Sequence, residues 1–261
     1  MSTDERLRAQ LDAAVSGADT ARGAADRLCR ACVDLLEVDG ASISLTLDVS
    51  NRGTFGASSA LSHRVDALQF TAGEGPCLDA VALGRPVLVA DLDDPAERRW
   101  PAFTGGAVAA GVHAVFALPV SLSRQRVGAL DLYRGRPGAL GAPALAGGLL
   151  AAELAALPLL DVIAEHAAAT AGPATDRRPE DGWGQLASLE RVEVYQATGM
   201  IMGALDVDPV EALVRLRAQA FARGLTAGEL AWQVVERQVV LDTPDWREPD
   251  PQEPGAPGGS S

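Results

Sequence analysis

The chain has 261 residues, of which 48% are hydrophobic and 22% are charged, a composition typical of globular proteins that bury a core. Its net charge of -13 excludes a protein that holds nucleic acid through a broad positive field, although it does not exclude a small basic patch. Three cysteines are an odd number, so the sequence predicts no disulfide framework and indicates a reducing compartment.

The sequence shows neither an export signal nor a membrane span. The first fifteen residues are charged and polar, unlike a secretory signal. The most apolar stretch, residues 144–160, is interrupted by Glu153 and Pro158 and is too short to cross a bilayer. We therefore expect a cytoplasmic protein with no membrane partner.

The first region of the chain begins with a helix and a strand. The apolar residues of the segment 24–38 recur at helical spacing and share one face. Residues 41–49 then alternate, with Ile43, Leu45 and Leu47 on one side. This alternation predicts a half-buried strand.

Three more strands and a closing helix follow in the same region. "RPVLVADL" (85–92) predicts a strand, and so do "VHAVFALPVSL" (112–122) and "RVGALDLYRG" (126–135). The last two are joined by a polar turn at 123–125 and should pair antiparallel. The alanine-rich stretch 144–167 predicts a closing helix. With intervening helices, this order predicts an α+β domain built on an antiparallel sheet.

The second region, residues 186–241, reads as three helices with well-marked ends. The second helix begins at "DPVE", where Asp208 caps the free N–H groups and Glu211 completes a capping box. Gly224 ends this helix. Thr226 caps the third helix by the same logic. We therefore expect a small all-α domain after the α+β domain.

A helical wheel of the second helix raises a question about Arg217. At about 100° per residue, an apolar arc contains Leu213, Leu216, Ala220, Val210 and Phe221. Arg217 falls about 40° from Leu213, inside that arc. Because a bare guanidinium is costly to bury, Arg217 must be paired or must reach an edge of the domain.

Two interpretations of Arg217 stay open. In the first, it forms a salt bridge with a carboxylate on a neighbouring helix, for example Glu193 or Glu229. In the second, it emerges at a seam and meets an anionic partner, with Arg215 and Arg223 beside it. The sequence does not choose between them.

The charge of the second helix differs from that of its surroundings. Residues 211–223 contain three arginines and one glutamate, a net charge of +2, whereas the region 188–241 has seven acids and five arginines, a net charge of -2. A locally basic helix in an acidic module favours a short, specific contact over extended tracking of a phosphate backbone.

These three helices resemble the ANTAR domain, the RNA-binding output module of bacterial transcription antiterminators. The resemblance rests on "VYQATGMIM", "EALVRLRAQA" and "AWQVV", and its spacing runs across all three helices. It implies an RNA-binding surface that contains Thr198, Gly199 and Arg217, and we expect Arg215 and Arg223 to flank Arg217 on that surface. Many family members have a lysine where Thr198 stands, so a phosphate contact is weakened there, although a hydroxyl can still donate a hydrogen bond.

The first region resembles a GAF sensor domain. The likeness rests on "GEGPC" (73–77), "GRPVLVADL", "WPAF" (100–103) and the pair "GVHAVFALPV" and "RVGALDLYR". A GAF domain followed by an ANTAR domain is typical of actinobacterial regulators. The resemblance implies a signal-responsive antiterminator that binds paired RNA stem-loops as a homodimer. It implies a small-molecule or protein signal at the GAF domain, whose identity and direction of effect the sequence leaves open.

Several other motifs have structural explanations. Cys29 and Cys32 have C-x2-C spacing, but they lie inside a predicted amphipathic helix, so core packing is favoured over a metal or redox site. Cys77 at a helix start could be a redox sensor, although a small buried side chain fits as well. "GEGP" lacks the phosphate-loop pattern and reads as a turn at the rim of the sensor cavity. Trp232 points away from its helix's core stripe and is expected to be exposed, at a dimer seam or on a nucleobase.

The sequence therefore predicts a regulator rather than an enzyme, with no cofactor and no metal site, because the three histidines are scattered and no catalytic arrangement is present. The alternative is an interaction scaffold whose helical domain docks on a protein partner. The expected segments are a tail or helix start at 1–17, a GAF-like domain at 18–165, a linker at 166–185, an ANTAR-like domain at 186–242 and a disordered tail at 243–261.

Overall fold

The computed structural model describes residues 3–46, 52–122, 125–158, 160 and 192–239. The chain divides into two compact units, residues 1–191 and 192–261. The first unit contains the antiparallel sheet and the second contains helices alone within its described part. No helix in the described ranges combines the length and the apolar character needed to cross a bilayer.

The first unit is an α+β fold, as the sequence predicts. Its five strands form one antiparallel sheet in the order β2-β1-β5-β4-β3. The elements in chain order are α1 (Thr3–Ser16), α2 (Ala21–Leu35), β1 (Gly40–Thr46), β2 (Arg52–Ala57), α3 (Ala60–Ala72), α4 (Pro76–Leu83), β3 (Val87–Val89), α5 (Pro101–Ala109), β4 (Ala114–Leu122), β5 (Gln125–Arg134) and α6 (Ala142–Leu154).

Both faces of the sheet are buried, which corrects the prediction of a half-buried first strand. Ile43 and Leu45 of β1 lie in the core formed with α1, α2 and α6. Ser42 and Ser44, which alternate with them, are also buried. A layer of helices covers each face of the sheet, so neither face contacts solvent and the polar residues of β1 do not indicate a solvent-exposed face. Leu47 of the predicted strand lies outside the described residues.

The predicted hairpin is confirmed. Strands β4 and β5 pair antiparallel from Ala114 opposite Arg134 to Leu122 opposite Gln125, with a register shift after Val120. The predicted strand 85–92 is shorter than expected, since β3 spans three residues at the sheet edge and pairs with β4 alone. Short edge strands limit unwanted pairing with other chains.

Strand β2 was not predicted. Its sequence, "RGTFGA", contains two glycines and lacks a clear alternation of apolar and polar residues. It pairs with β1, and Gly56 lies against α2, where an added Cβ would be 2.6 Å from the Cβ of Ala25. Packing against a helix, not strand propensity, therefore explains this glycine.

The predicted closing helix is α6, followed by helical residues at 156–158. The part of the prediction beyond residue 160 lies outside the described residues. Helix α1 packs on α2 and α6, and its Leu11 is fully buried. A second core, on the other face of the sheet, contains Trp100, Phe103 and Tyr133 and lies under α3, α4 and α5.

The second unit has the three predicted helices: α7 (Val192–Leu205), α8 (Pro209–Ala222) and α9 (Ala227–Val235). The side chain of Asp208 accepts a hydrogen bond from the N–H of Glu211 at 2.9 Å, which caps α8. The carboxylate of Glu211 contacts Arg215 rather than completing the expected capping box. The capping box between Thr226 and Glu229 at the start of α9 is complete.

The end of α8 is a Schellman motif, which explains the glycine there. Gly224 has a φ of 66° and donates its N–H to the carbonyl of Phe221. Leu225 donates to the carbonyl of Ala220 at 2.9 Å. These two bonds satisfy carbonyls that the helix leaves open, and the positive φ favours glycine.

Candidate functional site

The buried face of α8 is narrower than the apolar arc of the helical wheel. Ala212, Leu216 and Ala220 are fully buried, and helices α7 and α9 both pack against α8. Val210 and Phe221, which the wheel placed in the same arc, are 73% and 56% exposed. The wheel was wrong about these two because α7 and α9 cover only one side of α8.

Exposed apolar side chains therefore form a strip along α8. We define this apolar strip as Val210, Val214 and Phe221, of which Val214 is 57% exposed. The three residues lie within about 40° of one another on the helix. Trp232 on α9 is 54% exposed, as expected from its position on the wheel.

The two arginines of α8 and Arg223, which follows it, do not share one face. Arg217 is half-buried at the boundary between the buried side and the apolar strip, and its Nε atom is buried. Arg215 lies about 160° away around the helix and forms an ion pair with Glu211, with an N–O distance of 2.5 Å. Arg223 is half-buried at the C-terminal end of the helix.

Thr198 and Gly199 lie in the middle of α7. The Thr198 hydroxyl donates a hydrogen bond to the carbonyl oxygen of Val194 at 2.6 Å. This bond uses the hydroxyl proton that would otherwise be available to a phosphate, so in this geometry the side chain presents acceptor lone pairs. Gly199 is exposed, and an added Cβ there would meet no atom within 4 Å.

The "GEGPC" segment is a structural junction in the first unit. Gly73 ends α3 with a φ of 69°, and Gly75 precedes α4 with a φ of 149°. The carboxylate of Glu74 accepts hydrogen bonds from the N–H groups of Ala102 and Phe103, at 2.6 and 3.2 Å, and so caps α5. The segment therefore joins three helices, which agrees with its interpretation as a turn.

A cluster of buried polar residues lies between the sheet and the helices α3 and α4. Asp66 of α3 is at its centre and is 5% exposed. Its two carboxylate oxygens accept hydrogen bonds from the hydroxyls of Ser44 and Thr54, which face each other on β1 and β2. These two donors satisfy both oxygens of a buried carboxylate.

A second carboxylate, Asp131 of β5, belongs to the same cluster and is fully buried. One of its oxygens accepts a hydrogen bond from the Nε2 of Gln69 at 2.5 Å, and the Oε1 of Gln69 accepts from the N–H of Cys77 at 2.8 Å. Burial, and then the charge of Asp66, raise the pKa of Asp131 from 3.8 to about 8, despite the lowering effect of Gln69.

The sequence does not indicate this cluster, because its members come from five different elements: β1, β2, α3, α4 and β5. Its one sequence signal is the polar side of β1, where serine alternates with apolar residues. The cysteines Cys29 and Cys32, by contrast, are buried in the opposite core, and burial raises the pKa of both thiols. They pack as apolar residues, as the sequence analysis favoured.

Two sequence families match this chain. The family described as "GAF domain" matches residues 18–159, and the family described as "ANTAR domain" matches residues 185–235. The first match covers more than half of the 261 residues. No curated protein matches the chain.

Solved structures similar to this chain include GAF domains and an enzyme. The GAF domain of a phosphoenolpyruvate-protein phosphotransferase from Acinetobacter is 12% identical, with a TM-score of 0.50, over 63% of this chain and 97% of that chain. The GAF domain of a phosphoenolpyruvate-protein phosphotransferase from Coxiella burnetii is 16% identical, with a TM-score of 0.49, over 62% and 96% of the two chains. The structure of fRMsr of Staphylococcus aureus in complex with substrate is 15% identical, with a TM-score of 0.46, over 61% and 97%.

At these identities the likeness to the Acinetobacter domain shows the fold alone. The antiparallel sheet with helices on both faces agrees with that fold, and the capped helices of the second unit agree with the ANTAR match. Both are regulatory domains. The chain therefore belongs to the GAF–ANTAR regulators, in which a GAF sensor domain controls an RNA-binding ANTAR domain.

Proposed function

We propose that this chain is a transcription antitermination regulator that binds paired RNA stem-loops as a homodimer in a reducing cytoplasm. The observation that supports the proposal is helix α8, which lies within the ANTAR match, contains Arg215 and Arg217, and is followed directly by Arg223. The GAF domain receives a small-molecule or protein signal and shifts the population of the RNA-binding arrangement. The proposal assigns no chemical reaction to either domain.

Arg215 is well suited to exchange its partner for RNA. Its side chain is 40% exposed, and that of its partner, Glu211, is 48% exposed. Exposed pairs of this i, i+4 kind stabilise a helix by only about 0.3–0.5 kcal/mol. A phosphate can therefore replace the carboxylate at small cost, and a guanidinium binds phosphate through two parallel hydrogen bonds.

Exposed rings and guanidinium planes also fit the way proteins recognise RNA loops. Sequence-specific RNA recognition uses unstacked loop bases, which stack on aromatic side chains or on arginine. Phe221 and Trp232 are both more than half exposed. The strong negative charge of the whole chain opposes extended contact with a phosphate backbone, so we expect few phosphate contacts and a shallow dependence on salt.

Fluorescence anisotropy with labelled RNA tests the proposal. We expect the full chain to bind a tandem pair of short stem-loops more tightly than a single stem-loop, because two ANTAR copies of a dimer act together. Arg215→Ala and Arg217→Ala should each weaken binding by about tenfold or more, because a hydrogen bond to a charged group contributes about 1.5–3 kcal/mol. A logarithmic salt slope of roughly -2 to -4 corresponds to the few contacts expected.

A charge-matched control is available in the same domain. Arg237 is exposed and lies after the end of α9, so Arg237→Ala removes the same charge away from α8. Its binding should equal that of the unchanged protein. Equal losses in all three variants would indicate nonspecific attraction, and loss of helicity in Arg217→Ala alone would assign that residue to an internal salt bridge. The absence of binding to any hairpin at low salt, with helices intact and the chain dimeric, would refute the RNA proposal.

A second candidate function is supported by the apolar strip. Exposed apolar side chains in a continuous row favour contact with a protein. In that case the helical domain docks on a protein partner and RNA is never bound. RNA binding by the unchanged chain, together with the double variant Val214→Ser and Phe221→Ser, distinguishes the two functions. An antiterminator binds RNA as the unchanged chain. A scaffold binds no RNA in either form, and its double variant loses the protein partner.

A further inference from the structure

Three chemically suitable donors converge inside the GAF domain. Asp66 comes from α3, Cys77 from the first turn of α4 and Asp131 from β5. One donor atom from each residue lies within 4.8 Å of the other two, and all three residues are buried. We propose that these residues bind a divalent transition-metal ion, with Zn²⁺ as its representative, at a site that we call the Asp–Cys–Asp site.

The spacing of the donors fits a metal ion with a small adjustment. Ligands held at about 2.0–2.3 Å by a tetrahedral ion are roughly 3.3–3.8 Å apart. Donors within 4.8 Å of one another reach that spacing through small side-chain rotations. Three protein donors leave the fourth position of a tetrahedral ion open for water or a signal molecule.

A second, independent observation is the state of Asp131. The Oδ1 atom of Asp131 is buried and accepts no hydrogen bond from any described residue. A buried carboxylate oxygen without a partner costs considerable free energy, and such atoms are rare in native proteins. An ion held between Asp131, Asp66 and Cys77 supplies the missing interaction for this atom.

The surrounding hydrogen bonds have the form of a second layer around a metal. Ser44 and Thr54 donate to Asp66 and fix its carboxylate. Gln69 donates to Asp131 and accepts from the backbone of Cys77, so it connects two of the three donors. Partners of this kind orient metal ligands and typically change metal affinity 10–100-fold when they are removed.

The donor set also indicates the class of metal. Magnesium and calcium prefer oxygen ligands alone, whereas a thiolate beside carboxylates favours a borderline ion such as Zn²⁺ or Fe²⁺. The thiol of Cys77 releases its proton when it binds the ion, because the thiolate is the ligand. The bond that forms is between sulfur and metal, and the proton goes to solvent, so no oxidant or reductant is needed.

Cobalt binding to the chelator-treated full chain tests the site. Co²⁺ replaces Zn²⁺ in tetrahedral sites and reports a bound thiolate through an ultraviolet charge-transfer band. We expect one equivalent of Co²⁺ per chain, the thiolate band, and competition by Zn²⁺. Cys77→Ala should abolish the band and weaken binding more than about 100-fold. The matched control is Cys32→Ala, which removes a buried thiol from the opposite core and should leave the band unchanged.

A second variant guards against misfolding. Asp131→Asn keeps the shape of the side chain and removes an oxygen donor that can be anionic, so its circular dichroism should match that of the unchanged chain while its Co²⁺ affinity falls at least tenfold. The proposal is overturned if the chain binds no stoichiometric Co²⁺, if the band survives in Cys77→Ala, or if Asp131→Asn binds as the unchanged chain does. RNA binding is a separate measurement, so failure here leaves the function of α8 untouched.

Discussion

The helical wheel and the tertiary structure predict different losses of stability when Phe221 is replaced, and one experiment distinguishes them. The wheel places Phe221 and Leu216 in the same apolar arc, whereas the structure buries Leu216 completely and leaves Phe221 56% exposed. Two single variants are compared, Leu216→Ala and Phe221→Ala. If both residues were in the core, phenylalanine would be the costlier of the two to remove, because it is larger.

The structure predicts the opposite order. Removing a fully buried leucine costs about 2–5 kcal/mol. At about 0.05–0.15 kcal/mol per residue, the described part of the helical domain, residues 192–239, has a total free energy of unfolding of roughly 2–7 kcal/mol. Leu216→Ala should therefore unfold the helical domain partly or completely. Phe221→Ala loses little buried area and gains a better helix former, so its cost should stay below about 1 kcal/mol.

Hydrogen exchange followed by mass spectrometry on the full chain measures both effects. Peptides from α8 should lose protection in Leu216→Ala and keep it in Phe221→Ala. Peptides from β4 and β5 serve as an internal control, because the sheet belongs to the other unit. A loss of protection in Phe221→Ala equal to that in Leu216→Ala would refute the exposed position of Phe221.

Three further predictions concern stability and reactivity. Gly128→Ala should destabilise the sheet severely, because its Cβ would lie 2.0 Å from the carbonyl oxygen of Ser44, whereas Gly105→Ala, with no atom within 4 Å, should be neutral or stabilising in thermal melts. Burial raises the pKa of Cys32 to about 12, so at pH 9 its thiol should resist iodoacetamide in the native protein and react after denaturation; rapid native labelling would contradict its burial. Asp208→Ala should destabilise the helical domain by about 1 kcal/mol in denaturant titrations, through loss of the α8 cap, and an unchanged midpoint would show that the cap contributes nothing.

Local sequence was sufficient for the parts of the fold that local interactions decide. The caps of α8 and α9 were predicted because each joins residues three positions apart, as Thr226 and Glu229 are. The β4–β5 hairpin was predicted because both strands are long and joined by a short turn. Strand β2 was missed because its two glycines carry no pattern, and its place depends on contact with α2.

Only part of the candidate RNA surface was predictable from the sequence. The basic character of α8 is a property of its sequence, and the exposure of Trp232 followed from helical spacing. The wheel placed Leu216 and Ala220 on the buried side, but it did not show how much of the apolar arc is buried, because that depends on where the neighbouring helices lie. In the structure, the Thr198 hydroxyl donates to the carbonyl oxygen of Val194 one turn earlier, a local bond that the sequence did not indicate.

The sequence alone determined the order of domains, the helix ends and the hairpin, because these features depend on side chains close together along the chain. The tertiary structure was needed to show that Ser44 and Asp131 belong to one buried cluster with Asp66 and Cys77, because residues 87 positions apart come close only after the sheet forms. It also decided which apolar residues of α8 face solvent. The buried cluster and the exposed side of α8 both depend on which elements pack against β1, β5 and α8. The periodicity of a single segment does not specify its packing partners.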